Sequence, residues 1–448
     1  MSTAEAPASR GHQSARRAGT AGMLGTMIEA YDFAIYTYLV VFTAPLFFPA
    51  DNPSNGVLAA LLALGAGFLA RPVGGLFFGR LGDRRGRRFA LIATVVTMGT
   101  ATFVIGLLPT YATIGVLAPV LLVALRLLQG FSAGGELMGS ATFVTEHGTR
   151  RNHGFLSAIT PLGNALGAAL APAVVGVVTL VIADDIMGAW GWRIPLLLSL
   201  PLTVLVLVLR TRLDDSPEFK RSAEREETAS RTPVRDVVRQ HPLALARVVV
   251  LAASVLFIGY FSAAYLPIYL QTAGGLSPGE AARFASVGMI SAMPCMLLTG
   301  KLVDRYGRQR VQILLLVLAA VVVFPMMAAV GAPEGAGVLG VAGFIVFVCI
   351  GGSVAVPAFA SFTASFPTRV RYTGAALGYG LGGALGAGFG PYLSALSAEL
   401  TGSRYASAAL LLVVAAVGLV VAATMRDTTA APTADPVPAV ADPDVTPA

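Results

Sequence analysis

The sequence predicts an all-α membrane protein whose twelve transmembrane helices form two pseudo-symmetric bundles of six. Three observations support this class. Of the 448 residues, 55% are hydrophobic and 12% are charged, and this charged share is about half that of an ordinary soluble domain. Apolar runs long enough to cross a bilayer as helices recur along the chain. One long polar segment separates six of these runs from the other six, and a motif of the first set returns in the second.

Each predicted span is an apolar run bounded by charged residues or by Pro- and Gly-rich breaks. The first six spans form an N-terminal bundle over residues 20–209, and the last six form a C-terminal bundle over residues 246–425. Residues 210–245 are expected to be a cytoplasmic central loop, and residues 1–19 and 426–448 disordered cytoplasmic ends. The spans are expected near residues 20–48, 56–78, 89–109, 116–137, 154–182, 191–209, 246–270, 281–299, 311–330, 337–364, 373–397 and 404–424.

The basic residues predict which loops face the cytoplasm. If the N-terminus lies inside, the outside loops hold only Arg193, Arg283 and Arg404, and 26 of the 31 lysines and arginines fall in inside segments. This asymmetry follows the positive-inside rule. We therefore expect a multi-pass protein of the inner or plasma membrane with both termini in the cytoplasm. The same rule explains the net charge of +7, so the charge gives no reason to expect a nucleic-acid partner.

A ten-residue motif occurs twice, as "GRLGDRRGRR" at 79–88 and as "GKLVDRYGRQ" at 300–309. Both copies connect two spans on the predicted cytoplasmic side, and duplicated halves are typical of secondary transporters that bind substrate near the membrane midplane. A solvated basic turn is the simpler interpretation for one copy, but two copies at equivalent places argue against it. The candidate gating residues are Arg71, Gly79, Asp83, Arg84, Gly86, Arg87, Glu136, Asp304, Arg305, Gly307 and Arg308.

The first of these motifs resembles the signature loop of the major facilitator superfamily. Further segments resemble the metabolite:H+ symporter family within it, over residues 20 to 425: "IEAYDF", "ARPVGGLFFGRLGDRRGRR", "LLPTYATIGVLAPVLLVALRLLQGFSAGGE", "EHGTRRNHGF" and "GWRIPLLLS". The resemblance implies proton-driven uptake of organic acids such as citrate, 2-oxoglutarate and shikimate, or of zwitterions such as proline and betaine. One departure is Ala30, where many members have Trp, and it concerns the pocket beside the first span rather than the fold.

Four charged residues fall within the spans of the first half: Glu29 and Asp32 in the first span, Arg71 in the second and Arg126 in the fourth. The spans of the second half carry no charge in their interiors. A charge at bilayer depth costs about 2.5–3.5 kcal/mol on insertion scales, and such residues usually pair and usually serve function. We therefore expect Asp32 to be the leading proton acceptor and Glu29 the second. A static ion network that braces the first bundle is the alternative.

Arg126 is the candidate that links protons to substrate. "RLLQG", which begins at Arg126, resembles the fourth-span motif of the superfamily, whose arginine is implicated in proton coupling. A guanidinium also favours bidentate contact with a carboxylate. One central arginine suits a single carboxylate, which favours monocarboxylates or betaine-like solutes. Further candidates for the substrate cavity are polar residues that serve equally well as interhelical hydrogen-bond partners, namely Gln129, Tyr36, Asn164, Tyr260, Tyr265 and Tyr379.

The sequence predicts neither an enzyme nor an ATP-driven pump. It has no GxxxxGK[ST] nucleotide-binding loop and no Cys/His cluster of metal-ligand spacing, so we expect no cofactor and no metal. The expected partners are a small-molecule substrate, protons and the lipid bilayer, with a monomer as the default state. The predicted function is a proton-coupled symporter that imports a small organic acid or zwitterionic metabolite by alternating access. An exporter of the same superfamily and an uncoupled facilitator are the alternatives.

Overall fold

A computed structural model describes residues 7–85, 87–146, 153–211, 233–332, 336–367 and 370–425 of the chain. Over these ranges the structure is almost entirely helical and contains no strand, so the predicted all-α class is confirmed. Eleven helices in the described ranges are long and apolar enough to cross a membrane. The eleventh predicted span, 373–397, is not among them, although it too is helical. It carries eight glycines between residues 374 and 390, and glycine contributes little hydropathy.

The first six spans form the N-terminal bundle. The first helix begins at Pro7, well before the expected start at residue 20. The sixth span opens with a wide π-helical turn and not with a regular helix. The helices run Pro7–Phe47, Pro53–Arg85, Arg87–Leu107, Tyr111–Ile114, Leu117–Glu146, His153–Val181 and Asp184–Ile186, and the sixth span comprises Met187–Gly191, Arg193–Leu197 and Ser199–Thr211.

The second six spans begin after a short amphipathic helix at the end of the central loop. Two of these spans, the seventh and the eleventh, contain a π-helical turn in their middle. The helices run Pro233–Gln240, Pro242–Tyr260 with the π turn Phe261–Tyr265, Leu266–Thr272, Pro278–Tyr306, Arg308–Val330, Val338–Ser353, Ala355–Ala364, Arg371–Gly383 with the π turn Ala384–Gly388, Phe389–Thr401 and Ala406–Thr424.

Glycines bring the second and fourth spans into backbone contact. A Cβ atom at Gly130 would overlap the carbonyl group of Gly67, and one at Gly134 would overlap the carbonyl of Arg71. Small residues at helix crossings permit this approach in membranes, where packing and not hydrophobicity drives helix association. The contact sets Arg71 and Arg126 on neighbouring turns of two touching helices, and this positions the site described below.

The two bundles touch each other at the end of the molecule opposite the chain termini, which we call the distal end. There Asn52 donates a side-chain hydrogen bond to Glu399 at 3.1 Å. The hydroxyl of Ser286 in the eighth span donates to the carbonyl of Ala169 in the fifth at 3.1 Å. Deeper in the membrane, Gly65 packs against the backbone of Gly388. The distal end is therefore closed by direct contact between the halves.

The second copy of the repeated motif makes a tight helix-to-helix turn. Gly307 separates Pro278–Tyr306 from Arg308–Val330 and has φ +86°. Its N–H donates to the carbonyl of Val303 at 2.9 Å. A positive φ is cheap only for glycine, so the motif's glycine is explained by backbone geometry. The corresponding Gly86 lies outside the described residues.

Candidate functional site

Asp32 and Glu29 lie one helical turn apart on the first span, inside the N-terminal bundle. Asp32 is 1% exposed and Glu29 is 7% exposed. Among the described residues, neither carboxylate oxygen of Asp32 has a hydrogen-bond partner. Burying a carboxylate without hydrogen bonds or an ion pair is costly, so this arrangement needs a compensating proton or partner.

A small cavity of about 10 Å³ lies against both carboxylates. A cavity of this size accommodates roughly one water molecule. The first span contributes Ile28, Glu29 and Asp32 to its wall, and the third and fourth spans contribute Thr94, Val95, Met98 and Ser132. The hydroxyl of Ser132 is itself committed to the carbonyl of Thr94 at 2.5 Å. The cavity therefore places the two predicted proton acceptors in the wall of one small compartment whose lining is largely apolar.

Arg126 is fully buried in the fourth span and does not face lipid. Its Nη1 donates to Oε1 of Gln129 at 3.0 Å, and Nε2 of Gln129 donates to the hydroxyl oxygen of Thr102 at 2.7 Å. The Nε and Nη2 groups of Arg126 have no hydrogen-bond partner in the described ranges. A buried guanidinium with two spare donors is suited to bind an anionic group.

Two guanidinium groups lie over the same aromatic ring. The Cζ of Arg71 is 4.4 Å from the centroid of Phe33, and the Cζ of Arg126 is 4.5 Å from it. Arg71 also contacts Phe68 at 4.3 Å, and Arg126 contacts Tyr36 at 4.6 Å. These are cation–π distances. The sequence predicts one central arginine, whereas the structure brings two together. Phe33 and Phe68 are not among the residues that the sequence predicts for the site.

The C-terminal bundle adds aromatic side chains to this cluster. Tyr260 packs its ring edge-on against Phe68 with centroids 5.0 Å apart. It lies within electrostatic range of Arg71, Arg126 and Glu29. Tyr379 lies within range of Arg71 and Glu29. The predicted residues Tyr36, Gln129, Tyr260 and Tyr379 therefore converge with the two arginines.

Other predicted residues lie elsewhere or outside the described part. Tyr265 packs among the rings of Phe261 and Tyr269 inside the C-terminal bundle, and Asn164 is exposed. In the second motif copy Asp304 and Arg305 are exposed, whereas Arg308 is 8% exposed. The predicted gating residues whose side chains fall outside the described residues are Gly79, Asp83, Arg84, Gly86, Arg87 and Glu136.

Comparisons with known proteins agree with this architecture. The sequence profile of the Major Facilitator Superfamily matches residues 22–379. The chain is 33% identical over 442 residues to the proline/betaine transporter of Escherichia coli K12, covering 95% of this chain and 86% of that protein. It is 33% identical to the shikimate transporter of the same strain, covering 92% and 95%. A crystal structure of a D-xylose-proton symporter superposes with a TM-score of 0.74 at 17% identity, covering 92% and 97%, which establishes the shared fold.

Proposed function

The chain belongs to the major facilitator superfamily, and on that premise we propose that it is a proton-coupled symporter that imports a small zwitterionic or monocarboxylate metabolite. It is a multi-pass membrane transporter and not an enzyme. Relatives named for proline, betaine and shikimate support a solute that carries a carboxylate. The inner membrane of a bacterium is the proposed location, with both termini in the cytoplasm.

The observation that carries the proposal is the buried carboxylate of Asp32, which has no hydrogen-bond partner in the described ranges and belongs to the same bundle as the buried Arg126. An acid in this setting gains from taking up a proton when its compartment opens to acidic water. Arg126 keeps two free donors for the substrate carboxylate. The aromatic rings of Phe68 and Tyr260 lie beside the arginines, and aromatic faces suit a substituted ammonium group.

The closed distal end fits alternating access. Contacts such as Asn52 with Glu399 join the halves there. Since substrate sites in such folds lie near the midplane between the halves, rocking of one bundle against the other exposes the site to each side in turn. In this cycle a protonated, loaded carrier closes at the distal end and releases solute and proton at the end that bears the termini.

The test is transport by the purified protein in lipid vesicles, with labelled proline, betaine and shikimate as probes. An inward proton gradient should drive accumulation of at least one probe above equilibrium. Asp32→Asn should abolish this accumulation and keep counterflow exchange, because exchange needs no net proton movement. Asp51→Asn, which removes an exposed carboxylate at the distal end, is the matched control and should transport normally.

The alternatives give different results in the same vesicles. Proton-driven expulsion of solute would favour an exporter, and equilibration without accumulation would favour an uncoupled facilitator. Normal accumulation by Asp32→Asn would remove Asp32 from the mechanism.

A further inference from the structure

We propose that Arg71 determines which carboxylates the site admits, because its guanidinium holds the aromatic face of Phe68 that a substituted ammonium group would use. A solute with such a group then binds only by displacing Arg71 from the ring. The inference rests on the proposed function and deepens it, since it gives the ammonium end of a zwitterion a place in the site. The sequence predicts Arg71 as a gating residue and predicts no role for Phe68.

The ring of Phe68 is almost completely covered by other side chains. The Cζ of Arg71 lies 4.3 Å from its centroid. Phe33 packs against it edge-on with centroids 4.6 Å apart, and Tyr260 of the facing bundle does so at 5.0 Å. Phe68 is consequently only 1% exposed. A second cation therefore finds no open face on this ring and has to take the place that Arg71 holds.

Two aromatic rings hold the Arg71 guanidinium. Its Cζ lies 4.4 Å from the centroid of Phe33 and 4.3 Å from that of Phe68. Its Nε is buried and has no hydrogen-bond partner in the described ranges. Aromatic faces attract ligand ammonium groups by the same cation–π interaction that attracts guanidinium groups. The two kinds of cation can therefore compete for one face of Phe68.

The two arginines of the site differ in how firmly they are held. Arg126 is fully buried and donates to Oε1 of Gln129 at 3.0 Å. Arg71 is half-buried and precedes Pro72, which meets the C-terminal bundle: a Cβ atom added to Gly380 would lie 3.4 Å from Cγ of Pro72. Arg71 thus lies at the boundary that changes when the bundles rock, so it is the arginine that can move.

The charges of the cluster explain why an exchange is needed. The guanidinium carbons of Arg71 and Arg126 both lie within 4.5 Å of the Phe33 centroid, and like charges repel more strongly where water is excluded. A zwitterion that entered beside both arginines would add a third positive charge. If its ammonium group replaces Arg71 on Phe68, the rings hold no extra cation and its carboxylate can pair with Arg126. Exchange thus allows a site with two arginines to admit a zwitterion.

The exchange separates two classes of carboxylate. Shikimate has no ammonium group and leaves Arg71 on Phe68, whereas betaine has to displace it. Specificity is a difference between two affinities, so removal of the Arg71 guanidinium should favour betaine relative to shikimate. The expected shift is about two- to thirtyfold, the range that one cation–π contact covers.

The test measures the dissociation constants of betaine and shikimate by isothermal titration calorimetry on the purified full-length protein in detergent, where no proton gradient is needed. In Arg71→Gln the ratio of the betaine constant to the shikimate constant should fall about two- to thirtyfold. Arg71→Lys keeps a cation beside the rings and is the matched control, whose ratio should stay close to that of the wild type. Arg71→Met, which is also uncharged, decides the matter if the glutamine variant does not fold.

A double variant tests whether the gain depends on the ring. Phe68→Leu introduced into Arg71→Gln removes the aromatic face that the ammonium group would use. The ratio should then return toward the wild-type value, because neither cation has a ring to bind. Such a cycle isolates the coupling between two residues in contact. Thermal unfolding midpoints show which variants are folded before binding is measured.

The outcomes separate the role of Arg71 from the function on which it rests. A wild-type protein that binds neither probe contradicts the solute class of the proposed function and the inference with it. Binding of both probes with an unchanged ratio in Arg71→Gln and Arg71→Met overturns the role of Arg71 alone. A larger loss of affinity for betaine than for shikimate in these variants also overturns it, because Arg71 would then bind the zwitterion and not compete with it. An equal shift in Arg71→Lys has the same meaning, since charge would not be the operative property.

Discussion

The two bundles share one architecture but differ in where they carry charge. All four charged residues inside the spans belong to the N-terminal bundle, and the spans of the C-terminal bundle carry charges only near their ends. The C-terminal bundle contributes aromatic side chains, such as Tyr260 and Tyr379, to the shared cluster. A duplicated fold can therefore be functionally asymmetric, with ionic chemistry on one side of the cavity and an uncharged wall on the other.

The backbones of the two bundles differ as well. The π turns Phe261–Tyr265 and Ala384–Gly388 interrupt the seventh and eleventh spans near the facing bundle. The second of them ends at Gly388, which packs on Gly65 of the N-terminal bundle. Such turns inside helices frequently occur at functional sites. The N-terminal bundle therefore carries the charged side chains, and the C-terminal bundle faces them with helices that contain π turns.

The largest expected effect comes from changing the central arginine. Arg126→Lys removes the planar fork that bonds Gln129 and stacks on Phe33, and lysine cannot replace that geometry. Transport efficiency should fall at least about tenfold, since a hydrogen bond to a charged group contributes about 1.5–3 kcal/mol. Initial uptake rates measure it, with Arg310→Lys, an exposed arginine of the C-terminal bundle, as control. Equal uptake rates in the two variants would contradict the view that the charged side chains of the N-terminal bundle carry the ionic chemistry of transport.

A smaller effect is expected from the helix crossing that positions the arginines. Gly130→Ala places a Cβ atom on the Gly67 carbonyl and should destabilise the fold by about 1–3 kcal/mol, the usual cost of overpacking. Gly300→Ala is the control, because nothing lies within 4 Å of its added Cβ. Thermal unfolding midpoints in detergent should drop for the first variant and hold or rise for the second. Equal midpoints would mean that the second and fourth spans can move apart freely.

The smallest effect tests whether the uncharged wall takes part in binding. Tyr260→Phe removes a hydroxyl near Arg71 and Arg126 and should raise KM by about two- to tenfold, the scale of one hydrogen bond of about 0.5–1.5 kcal/mol. The matched control is Tyr269→Phe, whose hydroxyl donates to the carbonyl of Met327 at 3.1 Å. The control should keep its KM. If both variants bind substrate as the wild type does, the Tyr260 hydroxyl of the C-terminal bundle contributes nothing to substrate binding.

Much of the fold could be predicted from the sequence because the bilayer imposes a minimum length on every span. The eleventh span shows the limit of this rule, since its glycines lower its hydropathy while its helix persists from Arg371 to Thr401. The sequence did not predict that the first helix begins at Pro7, because a polar stretch without an apolar stripe is typical of a disordered segment.

The site was predictable only where it is charged. Asp32, Glu29, Arg71 and Arg126 stand out because ionisable residues are rare in apolar helices. Phe33 and Phe68 do not stand out, since aromatic residues are common there, although Phe68 precedes Arg71 by three residues and so shares its helix face. Thr102 could not be singled out, because its importance depends on a partner 27 residues away in sequence.

Phe33 lies within cation–π distance of two guanidinium groups, and this proximity has an evolutionary consequence. Without an aromatic face at this position, the two cations would meet across a gap that only an anion or water could fill. A transporter that acquired an aliphatic residue there would be driven toward substrates with more negative charge, or would lose one of its arginines. We therefore expect this single aromatic side chain to influence how much negative charge a substrate can carry.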